Sequence, residues 1–453
     1  MSPEAMNGYG RHENVEFADA GIAKRPDEYT DRFLVLLAPD SQEQGMSALR
    51  SAAGIASPER IRSREAQHAM EALGRNGTVL FEELGIGVVE AAPDQRQALM
   101  TAARGSSAVV AMERERMVYA SQLTTTAAET ATADYLRGYQ DGVEELVGHA
   151  LERLDTATMR EARAAAVFDE TQATWGLQAT RVTESAFTGQ GVRISVLDTG
   201  VDMDHPDLAG RFGAKPLSLV QGQSAEDGHG HGTHCIGTAC GPRTPQSLPR
   251  YGVACDAEIY AGKVLSNEGS GTDAQILAGI SWAFGAGCRV ISMSLGAPVR
   301  PGEKHSVVFE HLARQLMQSG TLIVAAAGND SRRPGRTEPV SHPANCPSIL
   351  AVAALDRNLE PAFFSNAGIN PEGGQIDIAA PGVDVLSVWP HPPGHERLKG
   401  TSMATPHVAG VIGLLAQANP EASAAELKSL LLAQARRLPV PAVDVGAGLL
   451  QAP

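Results

Sequence analysis

Three short stretches of the sequence carry an acid, a base and a nucleophile: Leu197-Asp198-Thr199-Gly200, His229-Gly230-His231-Gly232-Thr233-His234, and Gly400-Thr401-Ser402-Met403-Ala404-Thr405-Pro406-His407. A serine hydroxyl is a poor nucleophile at neutral pH. It needs a base within hydrogen-bond reach, and that base needs a carboxylate to fix its tautomer. Asp198, His231 and Ser402 supply the three groups, which points to acyl transfer through a covalent intermediate. A fourth group follows from the run Thr321 to Asn329, a hydrophobic segment ending in Gly328-Asn329, a turn signal with a neutral amide donor. A side-chain N–H aimed at a developing oxyanion is worth about 3 kcal/mol in the barrier, and Asn329 is the candidate for it.

The elements that must hold these groups are legible in outline. Arg193 to Leu197 is a short apolar run after Thr188-Gly189-Gln190-Gly191 and reads as a buried strand. Asp198 falls at its carboxyl end, the edge where open α/β sheets form sites. His231 lies in a glycine-rich turn before an apolar stretch, beginning at Thr233, that can start a helix. Ser402 opens a small-residue helix pattern from Met403 to Gln417, whose first amides and dipole favour an oxyanion beside the serine. Strand-like runs at 193–197, 258–265, 289–295, 321–327 and 349–354 alternate with helical stretches at 272–286, 305–319 and 403–417. Parallel pairing requires such crossovers, so the expected fold is a doubly wound α/β parallel sheet.

Asp198-Thr-Gly, His231-Gly-Thr-His, Ala325-Ala-Ala-Gly-Asn329 and Gly400-Thr-Ser-Met-Ala-Thr-Pro-His-Val-Ala-Gly410 together resemble the signatures of the subtilisin family of serine endopeptidases, in its proteinase K-like branch. The resemblance runs from about Thr174 to Leu450, and the order Asp, His, Ser is that family's order. It implies that Gly269, Ser270 and Gly271, with Ser294, Leu295 and Gly296, form two strands flanking an extended peptide. It assigns the walls of the pocket for the residue before the scissile bond to Gly296, Ala297 and Ala326 to Gly328, including Ala327. Ser341 falls at the pocket base, and medium or large apolar residues are the expected occupants. Cys235, directly after His234, is by the same resemblance a free thiol beneath the catalytic histidine; plain core packing is the other reading.

Competing readings attach to single motifs. A lone Asp-Thr-Gly or Gly-Asn is ordinarily just a turn. His-x-His-x-x-His is also a metal-binding spacing in metallo-β-lactamase-like hydrolases, but those loops carry an Asp where this chain has Thr233. No catalytic metal or other cofactor is therefore expected. His234 is expected to be buried with its ring on backbone, and His229 to be a solvated loop residue. Asp207 matches a calcium ligand of the family, yet the loop from Gly241 to Arg250 offers few oxygen side chains; a structural calcium is left open.

The segments outside the catalytic motifs read as separate units. Residues 1–29 form a polar tail. Over 30–120 the pattern is strand, helix, strand, strand, helix, strand, the α+β ferredoxin-like arrangement. Upstream of a subtilisin-like domain it resembles a propeptide that inhibits in cis, with a strand continuing past Ala111 into the cleft and self-cleavage between Tyr119 and Thr126, where Tyr119 or Leu123 offers an apolar side chain for the pocket. Residues 121–173 read as a linker with an amphipathic helix, its stripe running from Tyr135 to Leu154, and 174–453 as the catalytic domain.

Composition bounds the function. A chain of 453 residues with a net charge of −15 argues against a nucleic-acid partner, and no apolar run approaches membrane-spanning length. The five cysteines form no CxxC pair, and Met1 to Glu28 has no apolar central block, so a reducing, cytoplasmic setting is expected. The expected partners are protein or peptide substrates and the chain's own N-terminal unit. The alternatives are a subtilisin-like peptide ligase or macrocyclase, and a latent interaction module with a permanently blocked cleft.

Overall fold

The computed structural model describes residues 28–121, 168–245 and 248–453. The N-terminal part contains β1 (Tyr29–Leu37), α1 (Gln42–Ala53), β2 (Glu59–Ile61), α2 (Ala69–Asn76), β3 (Thr78–Phe81), β4 (Ile86–Glu90), α3 (Pro93–Gly105) and β5 (Val109–Ala120). Strands lie in the order β5, β1, β4, β3, all antiparallel, with α1 and α3 completing the ferredoxin-like pattern. Beyond the expected elements are β2, parallel to β3, and α2. A three-residue strand of sequence Glu-Arg-Ile carries too little alternation to be read in advance. The predicted amphipathic helix near 135–154 lies outside the described residues.

The C-terminal part begins with α4 (Trp175–Ala179) and β6 (Arg193–Asp198). It continues through β7 (Leu217–Ser218), α5 (His231–Cys240), β8 (Glu258–Lys263), β9 (Ser270–Thr272), α6 (Asp273–Gly285), β10 (Val290–Met293) and β11 (Leu295–Gly296). Then follow α7 (Val307–Gln318), β12 (Leu322–Ala326), β13 (Leu350–Leu355), β14 (Ile378–Pro381), β15 (Val385–Val388), β16 (His395–Leu398), α8 (Thr401–Ala418), α9 (Ala424–Gln434) and α10 (Ala442–Val445). Seven strands form a parallel sheet in the order β14, β13, β12, β10, β6, β8, β7. Both faces are covered, which is why β12 and β13 are buried at every residue. Side chains alternate between the faces: Ile323 and Ala325 join the layer of α6 and α7, whereas Leu322 and Val324 join that of α5, α8 and α9.

The two parts share a core. Phe33, Val35 and Leu37 of β1 pack on α1 and α3, while Leu34 and Leu36 on the opposite face belong to the same apolar cluster as Ile276 and Val308 of α6 and α7. Among the described residues no helix is long and apolar enough to cross a membrane.

Candidate active site

Asp198 ends β6, where its Oδ1 accepts the Thr199 N–H at 2.8 Å and meets His231 Nδ1 at 2.6 Å. His231 is the first residue of α5. Gly230 before it has φ +95, and a Cβ there would lie 2.4 Å from the Trp389 ring, so only glycine fits this turn. The helix start is pinned by Asp227, whose carboxylate accepts from Gly230 N, Thr233 N, Thr233 Oγ1 and Thr199 Oγ1 at 2.7–2.8 Å. Thr199 Oγ1 in turn accepts the Gly232 N–H at 2.8 Å, tying the acid's strand to the base's helix. Burial opposes charge on Asp227, but these donors outweigh it and hold the carboxyl below its usual range. The sequence reading missed Asp227. The signal was an acid a few residues ahead of a helix start, the position from which free amides are captured.

Asp198 and His231 are both buried. Burial, the largest influence on the imidazole, disfavours its charged form, yet the Asp198 carboxylate and the Cys235 sulfur outweigh it, and the ring sits well above the ordinary histidine value. Lys263 is also fully buried, at the end of β8, and its Nζ donates to the Thr199 carbonyl.

Ser402 lies in the first turn of α8, beside Gly400, as the sequence places it. Pro406 stands four residues on and has no N–H for the Ser402 carbonyl. That carbonyl instead accepts Ser294 Oγ at 2.9 Å and Cys235 Sγ at 3.5 Å. Cys235 thus touches both the histidine, with Sγ 3.9 Å from His231 Nδ1, and the serine's backbone. All five cysteines are unpaired and buried.

Asn329 follows β12. Its Oδ1 accepts the Thr401 N–H and the Thr401 hydroxyl, each at 2.9 Å. Those donors fix which end of the amide is oxygen, so Nδ2 faces the cleft. There it donates to the Ser121 carbonyl at 2.5 Å, and Ser402 Oγ donates to the same oxygen at 2.7 Å. Ser402 Oγ also contacts the Ser294 carbonyl at 3.1 Å, and His231 Nε2 is buried without a hydrogen-bond partner among the described residues.

Ser121 is delivered by β5. This strand pairs antiparallel with β9, Met117 opposite Thr272 and Tyr119 opposite Ser270, and with β11, Ala120 opposite Leu295 and Tyr119 opposite Gly296. Ala120 N donates to Gly269 O at 2.8 Å and Ser121 N to Ser294 O at 3.2 Å. Gly269, Ser270, Gly271, Ser294, Leu295 and Gly296 therefore converge on one extended segment. Ala327 and Gly328 directly precede Asn329, whose amide meets that segment at the Ser121 carbonyl. Gly328 has φ +107, and a Cβ there would lie 2.2 Å from Ser341 Oγ. The Ser341 hydroxyl is 3.5 Å from Asp330 Oδ2 and 3.4 Å from Asn366 Nδ2.

The three histidines of the 229–234 motif do not converge. His234 is buried with Nε2 against the Val385 and Glu396 carbonyls at 3.0 and 3.3 Å, as expected, which directs it away from His231. His229 departs from the solvated role expected of it. It is half-buried, its ring edge-on to His231 at 6.1 Å, and burial lowers its pKa. Among the described residues the surroundings of Asp207 do not fit a cation. One carboxylate oxygen receives both the Tyr251 hydroxyl and His395 Nε2, so donors occupy the place other oxygen ligands would need. Burial and the adjoining carboxylate raise the Tyr251 phenol and keep it a donor.

The part of the chain that carries these residues matches known proteins. Residues 189–449 match the model of the subtilase family, Peptidase_S8. M-protease of Shouchella clausii is 41% identical over 261 residues, 57% of this chain and 63% of the relative. Subtilisin Savinase of Lederbergia lenta is 40% identical over 261 residues, 57% of this chain and 89% of the relative. Subtilisin E of Bacillus subtilis is 37% identical over 257 residues, 56% of this chain and 63% of the relative. With more than half of its length matched by the family model, and with the acid, base, serine and amide gathered at one cleft, the chain belongs to the subtilase family.

Proposed function

We propose that this protein is a serine endopeptidase that hydrolyses peptide bonds through an acyl-enzyme and is made as a zymogen covered by its own N-terminal unit. The observation that carries the reading is the Ser121 carbonyl oxygen, which accepts from Ser402 Oγ and from Asn329 Nδ2 together. A carbonyl held by the nucleophile and an amide donor is a substrate carbonyl in waiting.

In the reaction Ser402 Oγ bonds to the carbonyl carbon and His231 Nε2 takes its proton, which requires the hydroxyl to turn from the Ser121 and Ser294 carbonyls to the imidazole. Asp198 holds the ring and balances its charge. The oxyanion is met by Asn329 Nδ2 and the Ser402 N–H. The imidazolium then protonates the leaving amine, and water repeats the sequence on the acyl-enzyme. Pairing along β9 and β11 supplies affinity through main-chain bonds. The partners are protein or peptide substrates and, before maturation, β5 itself.

The scissile bond of self-processing is Ser121–Gln122, within the interval expected from the sequence but with Ser121, rather than Tyr119 or Leu123, before the bond. A serine before that bond and the Ser341 hydroxyl at the pocket base favour small residues there over the medium or large apolar ones first expected. Ser402→Ala should abolish proteolysis and leave the purified chain intact, while the unmodified protein yields a fragment beginning at Gln122 by mass spectrometry. Continued self-processing of purified Ser402→Ala protein would overturn the reading.

A further inference from the structure

Counting back from the Ser121–Gln122 bond, Arg116 is the sixth residue of the covering strand, and it sits in a site built by the C-terminal part. Its backbone N–H donates to Asp273 Oδ2 at 2.8 Å, and its guanidinium Nη2 to Glu303 Oε1 at 3.2 Å. Its side chain is only 15% exposed. The two acids are held in place without it. Asp273 is fully buried, its second oxygen 3.0 Å from His342 Nε2. Glu303 accepts the Arg300 N–H on its other oxygen at 3.1 Å, and its carbonyl accepts Asn370 Nδ2 at 2.6 Å.

Other groups around the guanidinium belong to the N-terminal part: Glu113 at 4.0 Å and the Tyr29 ring at 5.9 Å. Those leave when that part leaves; Asp273 and Glu303 stay. Arg300, a neighbouring cation, pairs with Glu28 at 3.4 Å, a partner that leaves with the N-terminal part, so a basic substrate side chain competes with Arg300 for Glu303.

Resting on the endopeptidase reading, we infer that Asp273 and Glu303 form an acidic subsite that selects arginine or lysine at the sixth residue before the scissile bond of protein substrates. The register enforces it. With the fifth residue opposite Thr272, as Met117 is, the N–H of the sixth falls on Asp273 whatever its side chain, and the side chain meets Glu303. The main-chain bond positions the peptide, and the Glu303 carboxylate discriminates. Because Glu303 is 27% exposed, solvent weakens the pair, so the preference is modest and falls with salt.

The test uses the full chain after self-processing and quenched peptides spanning residues 113–126 with Arg, Ala or Glu in place of residue 116. The kcat/KM ratio of the Arg peptide to the Glu peptide should be about 5–10 in low salt, as expected for a partly exposed charged hydrogen bond. It should fall to near one in Glu303→Gln and invert in Glu303→Lys. Reading a ratio within each preparation removes differences in total activity. Equal cleavage of the three peptides overturns this inference alone, as does a preference undiminished in both variants. Failure to cleave any peptide overturns it together with the endopeptidase reading.

Discussion

At the residue scale the site depends on how each group is held by something that does no chemistry. Asn329 is aimed because Thr401 occupies its oxygen, and His231 because Asp227 gathers the amides around it. Asn329→Leu should lower kcat about 100- to 1,000-fold with a much smaller change in KM, measured by steady-state kinetics on a short peptide. The pH dependence follows from His231. Its protonated ring cannot accept the Ser402 proton, and its pKa is raised, so activity should be lost as pH falls through a midpoint above the usual histidine value of about 6.5. A pH profile of kcat/KM with its acid limb at or below that value would contradict this.

At the element scale β5 is docked by two acids as well as by strand pairing. Glu113 accepts Val307 N and Ser306 Oγ, each at 2.6 Å, at the start of α7. Glu115, fully buried, accepts Ala274 N at 2.9 Å at the start of α6 and also pairs with Arg32 at 2.5 Å. Each carboxylate thus caps free amides of a helix in the opposite part. Loss of such a cap costs about 0.5–2 kcal/mol, so Glu113→Ala should raise the fluorophosphonate labelling rate of Ser402 in fresh full-length protein about 2- to 30-fold. Glu115→Ala should raise it further, because Arg32 loses its partner too. A labelling rate unchanged in both would mean that these contacts do not keep the cleft closed.

At the scale of the whole molecule the fold closes around Asp207 with hydrogen bonds. Tyr251 and His395 bring together the end of the 241–250 loop and the β15–β16 hairpin on that one carboxylate. Chelator should therefore leave the melting temperature unchanged in calorimetry, whereas Tyr251→Phe, which removes a buried donor, should cost about 1–3 kcal/mol and lower it by several degrees. A large drop with chelator alone would place a stabilising cation elsewhere in the protein.

The sequence by itself determined the types of the reacting groups, the strand and helix alternation that builds the parallel sheet, and the ferredoxin-like pattern of the N-terminal part. These are local: Asp198 follows an apolar run, and Ser402 opens a small-residue helix. Short pieces stayed illegible, among them β2, Glu-Arg-Ile, and β14, Ile-Ala-Ala-Pro, because periodicity needs length. Tertiary structure alone decided which carbonyl lies against Ser402, that Ser294 and Cys235 donate to the serine's carbonyl, that Asp207 is satisfied by Tyr251 and His395, and that Arg116 lands between Asp273 and Glu303. Each of these joins residues far apart in the chain, and a contact between distant segments exists only once the sheet and its crossovers have fixed their register.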